Sequence, residues 1–300
     1  FSAPFVEGEY TYFYKNDGLQ NQSVLYRKKG DSGNEEVFLD PNQFSKDGTT
    51  SLAGISFSKD GSRVAYQISE GGSDWRKVIV LNAADKSVIG DTLIDVKFSG
   101  LAWQGNEGFY YSSYDKPKQA SALSAMTDQH KVYYHKLNTA QSTDQLIFGG
   151  QEIPRRYLGA YLTNDERFLI ISAANTTSGN EIWMKDLHDP NAKFICLVNN
   201  FDKNHAIIDN DGEKLFIYTE LDAPNGRVVT ADFSNPGTTS WKTLIAETDQ
   251  VLSPSTGGGK IFANYLKDAT SLVKQYDRTG KLEREVELPG VGTVAGFGAK

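Results

Sequence analysis

The chain has 300 residues, and its 31 basic against 38 acidic side chains give a formal net charge of −7. That mild acidity, with no basic stripe, excludes a nucleic-acid partner, and the absence of any apolar run near ~18 residues excludes a helical membrane span. With 39% hydrophobic and 12% aromatic residues, 28 glycines and a single cysteine, it is expected to fold as one soluble domain over residues 1–300, cytoplasmic or periplasmic, with no internal disulfide.

Residues 1–8 and 10–15 read as strands joined at Gly8-Glu9, and 24–28 with 35–39 complete a first group of four. The second group, 50–92, contains the clearest unit, Ile55-Ser-Phe-Ser-Lys-Asp-Gly-Ser-Arg-Val-Ala-Tyr-Gln-Ile-Ser69. Two strands flank the Asp60-Gly61 turn there, glycine supplying the positive φ of a tight hairpin, and 75–82 is the third strand. The third group, 93–150, turns at Gly105-Asn106 into Phe109-Tyr-Tyr111. It carries an insertion at 115–130, rich in Lys, Gln, Ala and Ser, that reads as a surface loop or short helix. The fourth, 151–200, turns at Asn164-Asp165 into Phe168-Leu-Ile-Ile171, with 181–187 and 193–198 outermost. The fifth, 201–246, turns at Asn210-Asp211-Gly212, and the sixth, 247–289, at Gly257-Gly-Gly259. Residues 291–297 look like the innermost strand of one more group, and both chain ends look cut from a longer polypeptide. The turn markers Gly8, Asp60, Asn106, Asp165, Asp211 and Gly258 stand 52, 46, 59, 46 and 47 residues apart. A strand-only repeat of this period predicts an all-β fold, a β-propeller of four-stranded antiparallel blades, with six blades and the first strand of a seventh.

Catalytic apparatus is hard to find. No G-x-S-x-G nucleophile elbow occurs. None of the histidines, His130, His135, His188 and His205, has metal-ligand spacing, and His188 and His205 read as solvated turn residues. Cys196, in an apolar strand without an activating neighbour, reads as a buried structural thiol. Asp209-Asn-Asp-Gly-Glu213 lacks the sixth-position glycine of a calcium loop and reads as a β-turn. Gly290-Val-Gly292 with Gly296 has no following helix or acid to make a dinucleotide site. A glycosidase needs acids on inner strands, but 55–57 and 101–103 are apolar. The expectation is no catalytic residue, no metal and no cofactor in this chain.

More specific segments run through the sequence. Gly18-Leu-Gln-Asn-Gln-Ser-Val-Leu-Tyr26 is followed by Val37-Phe-Leu-Asp-Pro-Asn42, Asp47-Gly-Thr49 and Phe57-Ser-Lys-Asp-Gly61. Gly72-Ser-Asp-Trp75, Gly108-Phe-Tyr-Tyr-Ser-Ser-Tyr114 and His130-Lys-Val-Tyr-Tyr-His135 come next. Together these resemble the propeller of the prolyl oligopeptidase family of serine peptidases, collinear over residues 1–300. The resemblance implies a seven-bladed propeller, a filter admitting short peptides, and a Ser-His-Asp triad on an α/β-hydrolase domain of the same polypeptide, C-terminal to the propeller. This chain departs from that pattern by stopping after six blades and a strand, and would be inactive alone.

Carried over position by position, the resemblance implies three substrate-binding residues, Phe109, Tyr157 and Asp74. Phe109 matches an aromatic lining the pocket upstream of the substrate proline. Tyr157 matches a second wall position, and a third falls near Thr176 or Thr177. Asp74 matches an acid that pairs with a substrate-binding arginine of the hydrolase domain, a charge-assisted contact that would hold the guanidinium fork in place. By pattern alone Phe109 is a core aromatic, and Asp74 could cap the turn before Trp75. Short proline-containing peptides and the hydrolase domain are the expected partners. The alternative is a freestanding propeller that binds a protein or peptide.

Overall fold

The computed structural model describes residues 2–30, 32–115 and 128–298. Among the described residues the chain forms six sheets, each of four antiparallel strands in sequence order. The first holds β1 (Phe5–Glu7), β2 (Tyr10–Lys15), β3 (Val24–Lys29) and β4 (Glu36–Leu39). The second holds β5 (Thr50–Phe57), β6 (Arg63–Glu70), β7 (Trp75–Asn82) and β8 (Leu93–Lys97). The third holds β9 (Ala102–Gln104), β10 (Gly108–Ser113), β11 (Lys131–Lys136) and β12 (Gln145–Gly149). The fourth holds β13 (Tyr157–Leu162), β14 (Phe168–Ala174), β15 (Glu181–Asp186) and β16 (Ile195–Val198). The fifth holds β17 (His205–Asp211), β18 (Lys214–Thr219), β19 (Arg227–Asp232) and β20 (Lys242–Ile245). The sixth holds β21 (Val251–Gly257), β22 (Lys260–Lys267), β23 (Thr270–Tyr276) and β24 (Leu282–Val286).

The chain separates into two compact units, Phe1–Tyr161 and Leu162–Lys300. In the first, β6 and β10 are the most deeply enclosed strands of their sheets, and every residue of β10 is buried. A strand covered on both faces no longer alternates polar with apolar, so Phe109-Tyr-Tyr and Val64-Ala-Tyr appear as runs. One core joins Tyr12, Leu25, Phe38, Phe57, Val64 and Leu81 of the first two sheets, and another joins Val78, Val80, Leu93, Trp103, Phe109 and Tyr111 of the second and third. Each of these side chains contributes roughly 1.5–3 kcal/mol on leaving water. Arg27 bolts the first sheet to the second. It is 3% exposed, donates to the carbonyls of Ala83 and Ala84, pairs with Glu36 at 2.6 Å, and lies 4.1 Å from the Tyr10 ring centroid.

The hairpin turns carry a second repeat. Asp60 Oδ1 accepts from the Ser58 hydroxyl at 2.8 Å and the Ser62 amide at 2.9 Å, while Oδ2 takes the Asn106 amide of the next turn at 2.8 Å. Burial alone would raise this carboxyl, yet the donors of Ser62, Ser58 and Asn106 hold it down at about 2. Gly61, at φ +71°, lies so close to the first turn that a Cβ there would sit 2.4 Å from the Gly8 nitrogen. In the second unit Asp165 repeats the arrangement, accepting from Thr163 and from Asn210 at 2.7 Å.

The second unit is built alike. Arg278 reaches from after β23 to the Asn210 carbonyl at 2.6 Å and pairs with buried Asp209. Phe216, Val228, Leu252, Ile261 and Tyr265 form the core of its last two sheets. In all six sheets the register shifts once between the third and fourth strands, at Leu25/Tyr26, Arg76/Val78, Val132/Tyr133, Ile182/Trp183, Val228/Val229 and Gln275/Tyr276. A bulge there adds twist to the outermost strand, which carries less of the core.

Several expectations need correction. Leu93–Lys97 pairs with β7, so it closes the second sheet and does not open the third. Residues 291–297 form no strand. They cross β21 to β23, with the Ser271 amide donating to the Gly292 carbonyl at 2.9 Å, Asn264 to the Val294 carbonyl at 3.1 Å and Ser255 to the Phe297 carbonyl at 3.2 Å. Two glycines, Gly292 and Gly296, leave the segment few side chains to fill a pleat. His205 is buried at 6% exposure, its Nδ1 2.8 Å from the Thr219 hydroxyl, because it opens β17 on the face it shares with Ile207 and Asp209. Cys196 is exposed, since β16 is an outermost strand. Its thiol is pushed up to about 11 by partial desolvation and by Glu181, which leaves it inert. Residues 116–127 of the expected insertion lie outside the described residues.

Candidate functional site

In an antiparallel meander, turns alternate between two ends. Within the first unit the β6–β7 turn, the β8–β9 connection, the residues flanking β10 and β11, and the β12–β13 connection therefore share one end. Among the described residues near this end, three other than glycine hold positive φ: Asp95 at 57°, Phe98 at 51° and Arg155 at 57°. Such conformations persist only where the surroundings over-determine them, and they gather at functional sites.

Those surroundings are dense in hydrogen bonds. The Gln67 amide donates to the Ser99 carbonyl at 3.1 Å, and the Ser99 hydroxyl accepts from the Ser112 amide at 2.7 Å. The Ser112 hydroxyl donates to the Leu158 carbonyl at 2.8 Å, and Ser113 donates to the Asp95 carbonyl. Gly149 closes β12 at φ +93°, where a Cβ would meet the His130 carbonyl at 2.4 Å and Leu158 Cδ1 at 2.5 Å. No other residue fits.

On this frame stands an exposed aromatic pair. Phe98 is 44% and Tyr157 52% exposed, and their rings meet edge to face with centroids 5.9 Å apart. Lys97, only 9% exposed, holds its ammonium 4.9 Å from the Trp75 ring and 5.1 Å from that of Phe98, an arrangement that stabilises a desolvated cation. Tyr114 lies edge to face with Phe98 at 6.4 Å and stacks on the His130 imidazole at 4.4 Å.

Asp74 is exposed in the β6–β7 turn beside Trp75. It does not cap that turn: the Ser73 hydroxyl accepts the Trp75 amide at 3.1 Å. Tyr157 begins β13 at this same end. Phe109 stands apart from both. It sits at the opposite end of β10, about 13 Å from Ser113 at ~3.3 Å rise per residue. It is 0% exposed, packed against Trp103 at 5.1 Å and His135 at 5.6 Å, and presents no surface to a ligand. Thr176 and Thr177 are exposed after β14, in the second unit.

A cleft of about 370 Å³ opens beside Tyr111, Tyr133, Asp95, Asp115, Gln141 and Asp144. Behind it the Asp144 carboxylate, 3% exposed, accepts from the Tyr111 hydroxyl and bonds His135 Nδ1, each at 2.8 Å. This is a closed structural network; no nucleophile stands beside the histidine. Among the described residues no group of three or more His, Cys, Asp or Glu side chains could hold a metal ion, and no helix is long and apolar enough to cross a membrane. Phe98, Lys97, Tyr114 and His130 were not expected as site residues.

The family model of the prolyl oligopeptidase N-terminal β-propeller domain matches residues 1–300. The prolyl endopeptidase of Elizabethkingia miricola is 58% identical over 299 residues, covering 100% of this chain and 42% of that protein. Prolyl oligopeptidase A of Amanita bisporigera is 33% identical over 267 residues, covering 79% of this chain and 35% of that protein. A solved prolyl endopeptidase superposes with a TM-score of 0.86 at 32% identity, over 98% of this chain and 42% of its own. Prolyl oligopeptidase B of Galerina marginata, bound to a 35-residue hydrolysis and macrocyclization substrate, gives 0.86 at 26% identity, over 97% and 44%. The chain thus spans less than half the length of the relatives it matches.

Proposed function

Because this chain belongs to the prolyl oligopeptidase N-terminal β-propeller family, we propose that it is the substrate-filtering propeller of a serine endopeptidase that cleaves short peptides after proline. The observation that carries this reading is the match along the whole of residues 1–300, at 58% identity to a prolyl endopeptidase of more than twice the length. In this reading residues 1–300 are one domain, and an α/β-hydrolase domain of the same polypeptide supplies nucleophile, base and oxyanion hole. The propeller restricts which substrates reach them. The polypeptide is soluble, in the cytoplasm or periplasm.

Asp74 and Tyr157 are the propeller's contribution to the substrate side. The exposed Asp74 carboxylate pairs with an arginine of the hydrolase domain, holding that guanidinium for the peptide, and Tyr157 with Phe98 offers the aromatic wall. Phe109, enclosed in the core at the opposite end of β10, is not part of this wall. The test is hydrolysis of an N-blocked Gly-Pro p-nitroanilide. The full-length polypeptide carrying this chain is expected to release nitroaniline and the 300-residue chain alone to release none. Asp74→Ala in the full-length polypeptide is expected to raise KM about tenfold, the equivalent of ~1.4 kcal/mol, with kcat within about twofold. A folded full-length protein that leaves the peptide intact overturns the reading and favours a peptide-binding module.

A further inference from the structure

His130 immediately precedes β11, the third strand of its sheet, and is 0% exposed, yet both its ring nitrogens are spoken for by backbone. The Leu158 amide donates to Nδ1 at 2.9 Å, so Nδ1 carries the lone pair. Nε2 therefore carries the proton and donates to the Lys97 carbonyl 3.0 Å away. The two anchored residues are the sequence neighbours of the exposed rings: Lys97 precedes Phe98, and Leu158 follows Tyr157. One side chain thus ties β8 to β13 across β11, and each of its arms ends one residue from a ring of the pair. Tyr114 closes the circuit, stacked on the imidazole at 4.4 Å and edge-on to Phe98 at 6.4 Å.

We propose that His130 is the positioning residue of an aromatic clamp, holding Phe98 and Tyr157 at the separation at which they grip a prolyl ring or another apolar residue of a bound peptide. The proposal rests on the reading that this end of the first unit faces peptide. Two rings make a patch far below the ~800 Å² per partner of a stable protein interface, which suits one residue of an extended chain. Phe98 holds its backbone at φ +51°, a conformation that relaxes unless it is pinned, and the Lys97 carbonyl is the pin nearest to it. Grip at a distance from the scissile bond is made equally in ground and transition states, so its loss appears in KM and not in kcat.

Two substitutions cut the arms separately. His130→Asn places Oδ1 where Nδ1 stands, keeping the Leu158 arm and losing that to Lys97. His130→Gln places its amide nitrogen near Nε2, keeping the Lys97 arm and losing that to Leu158. In the full-length polypeptide each is expected to raise KM for the Gly-Pro p-nitroanilide about five- to tenfold with kcat within about twofold. Fluorine NMR with 4-fluorophenylalanine at 98 and 3-fluorotyrosine at 157 should show His130→Asn shifting the first resonance alone and His130→Gln the second alone. Unchanged KM in both variants, or both resonances moving together in each, overturns the proposal. If wild type does not cleave the peptide, the functional reading fails, while the two resonances still decide whether His130 sets the rings separately.

Discussion

Replacing Asp144 with alanine is expected to destabilise the fold by about 3–5 kcal/mol, the range for removing one partner from a buried, hydrogen-bonded charge. The carboxylate, 3% exposed, receives the Tyr111 hydroxyl on β10 and the His135 imidazole on β11, each at 2.8 Å. Alanine leaves both donors enclosed without an acceptor, and each such orphan costs ~1–3 kcal/mol. The neighbouring phenol cannot compensate by ionising, because burial pushes Tyr111 far above the usual tyrosine range. Asp144→Asn keeps an acceptor for one of the two donors and should lose about half as much. Urea unfolding followed by tryptophan fluorescence measures both. A loss below ~1 kcal/mol for alanine would mean that water from the adjacent cleft satisfies the donors.

Lowering the pH from 6.5 towards 4 is expected to remove about 3 kcal/mol of stability through His130 alone. Burial holds this imidazole down at about 4, the Lys97 carbonyl only partly opposing it. The unfolded chain titrates at the ordinary value near 6.5, so below that pH it binds a proton that the folded protein refuses. Stability is full above pH 6.5 and falls as pH drops to the folded value, ~1.4 kcal/mol for each unit between them. The geometry gives the cause: a proton on Nδ1 would face the Leu158 amide hydrogen. The charged groups nearby are Lys97, whose ammonium is turned into the Trp75 and Phe98 rings, and the paired Lys131 and Asp115. His205 is also depressed by burial and adds to the slope. Asp60, held at about 2, acts in a separate window: its contribution is complete above the ordinary aspartate value and lost only as pH falls below it. Urea midpoints between pH 7 and 4.5 for wild type and His130→Gln isolate the term, the wild type showing the steeper fall. Parallel profiles would contradict it.

The repeat was legible because turns are chemically specific. Asp60, Asn106 and Asp165 mark the period, and the same side chains make the turn-to-turn bonds, Asn106 to Asp60 and Asn210 to Asp165. Burial was less legible. His205 follows a polar stretch and was read as solvated, although its two-residue register with Ile207 and Asp209 puts it on the inward face. Cys196 lies in as apolar a run as any middle strand, but position in the sheet, not local composition, decides exposure. Of the site, Asp74 and Tyr157 came from resemblance and do stand at one end of the first unit. Phe109 came from the same source and lies in the core, since every residue of β10 is buried and its ring packs on Trp103 and His135. Phe98 could not be found from sequence: its importance lies in a positive φ and an exposed ring, and neither leaves a composition signal. His130 was visible only as part of a motif, because its role is defined by two backbone groups distant in sequence.

The proposed filtering role can be tested directly by offering the full-length polypeptide one Gly-Pro-containing sequence in two settings, as a ten-residue peptide and within a surface loop of a stably folded protein. The free peptide is expected to be cut after proline, and the folded protein to be left intact until it is unfolded. Cleavage of the loop at the rate of the peptide would contradict that role.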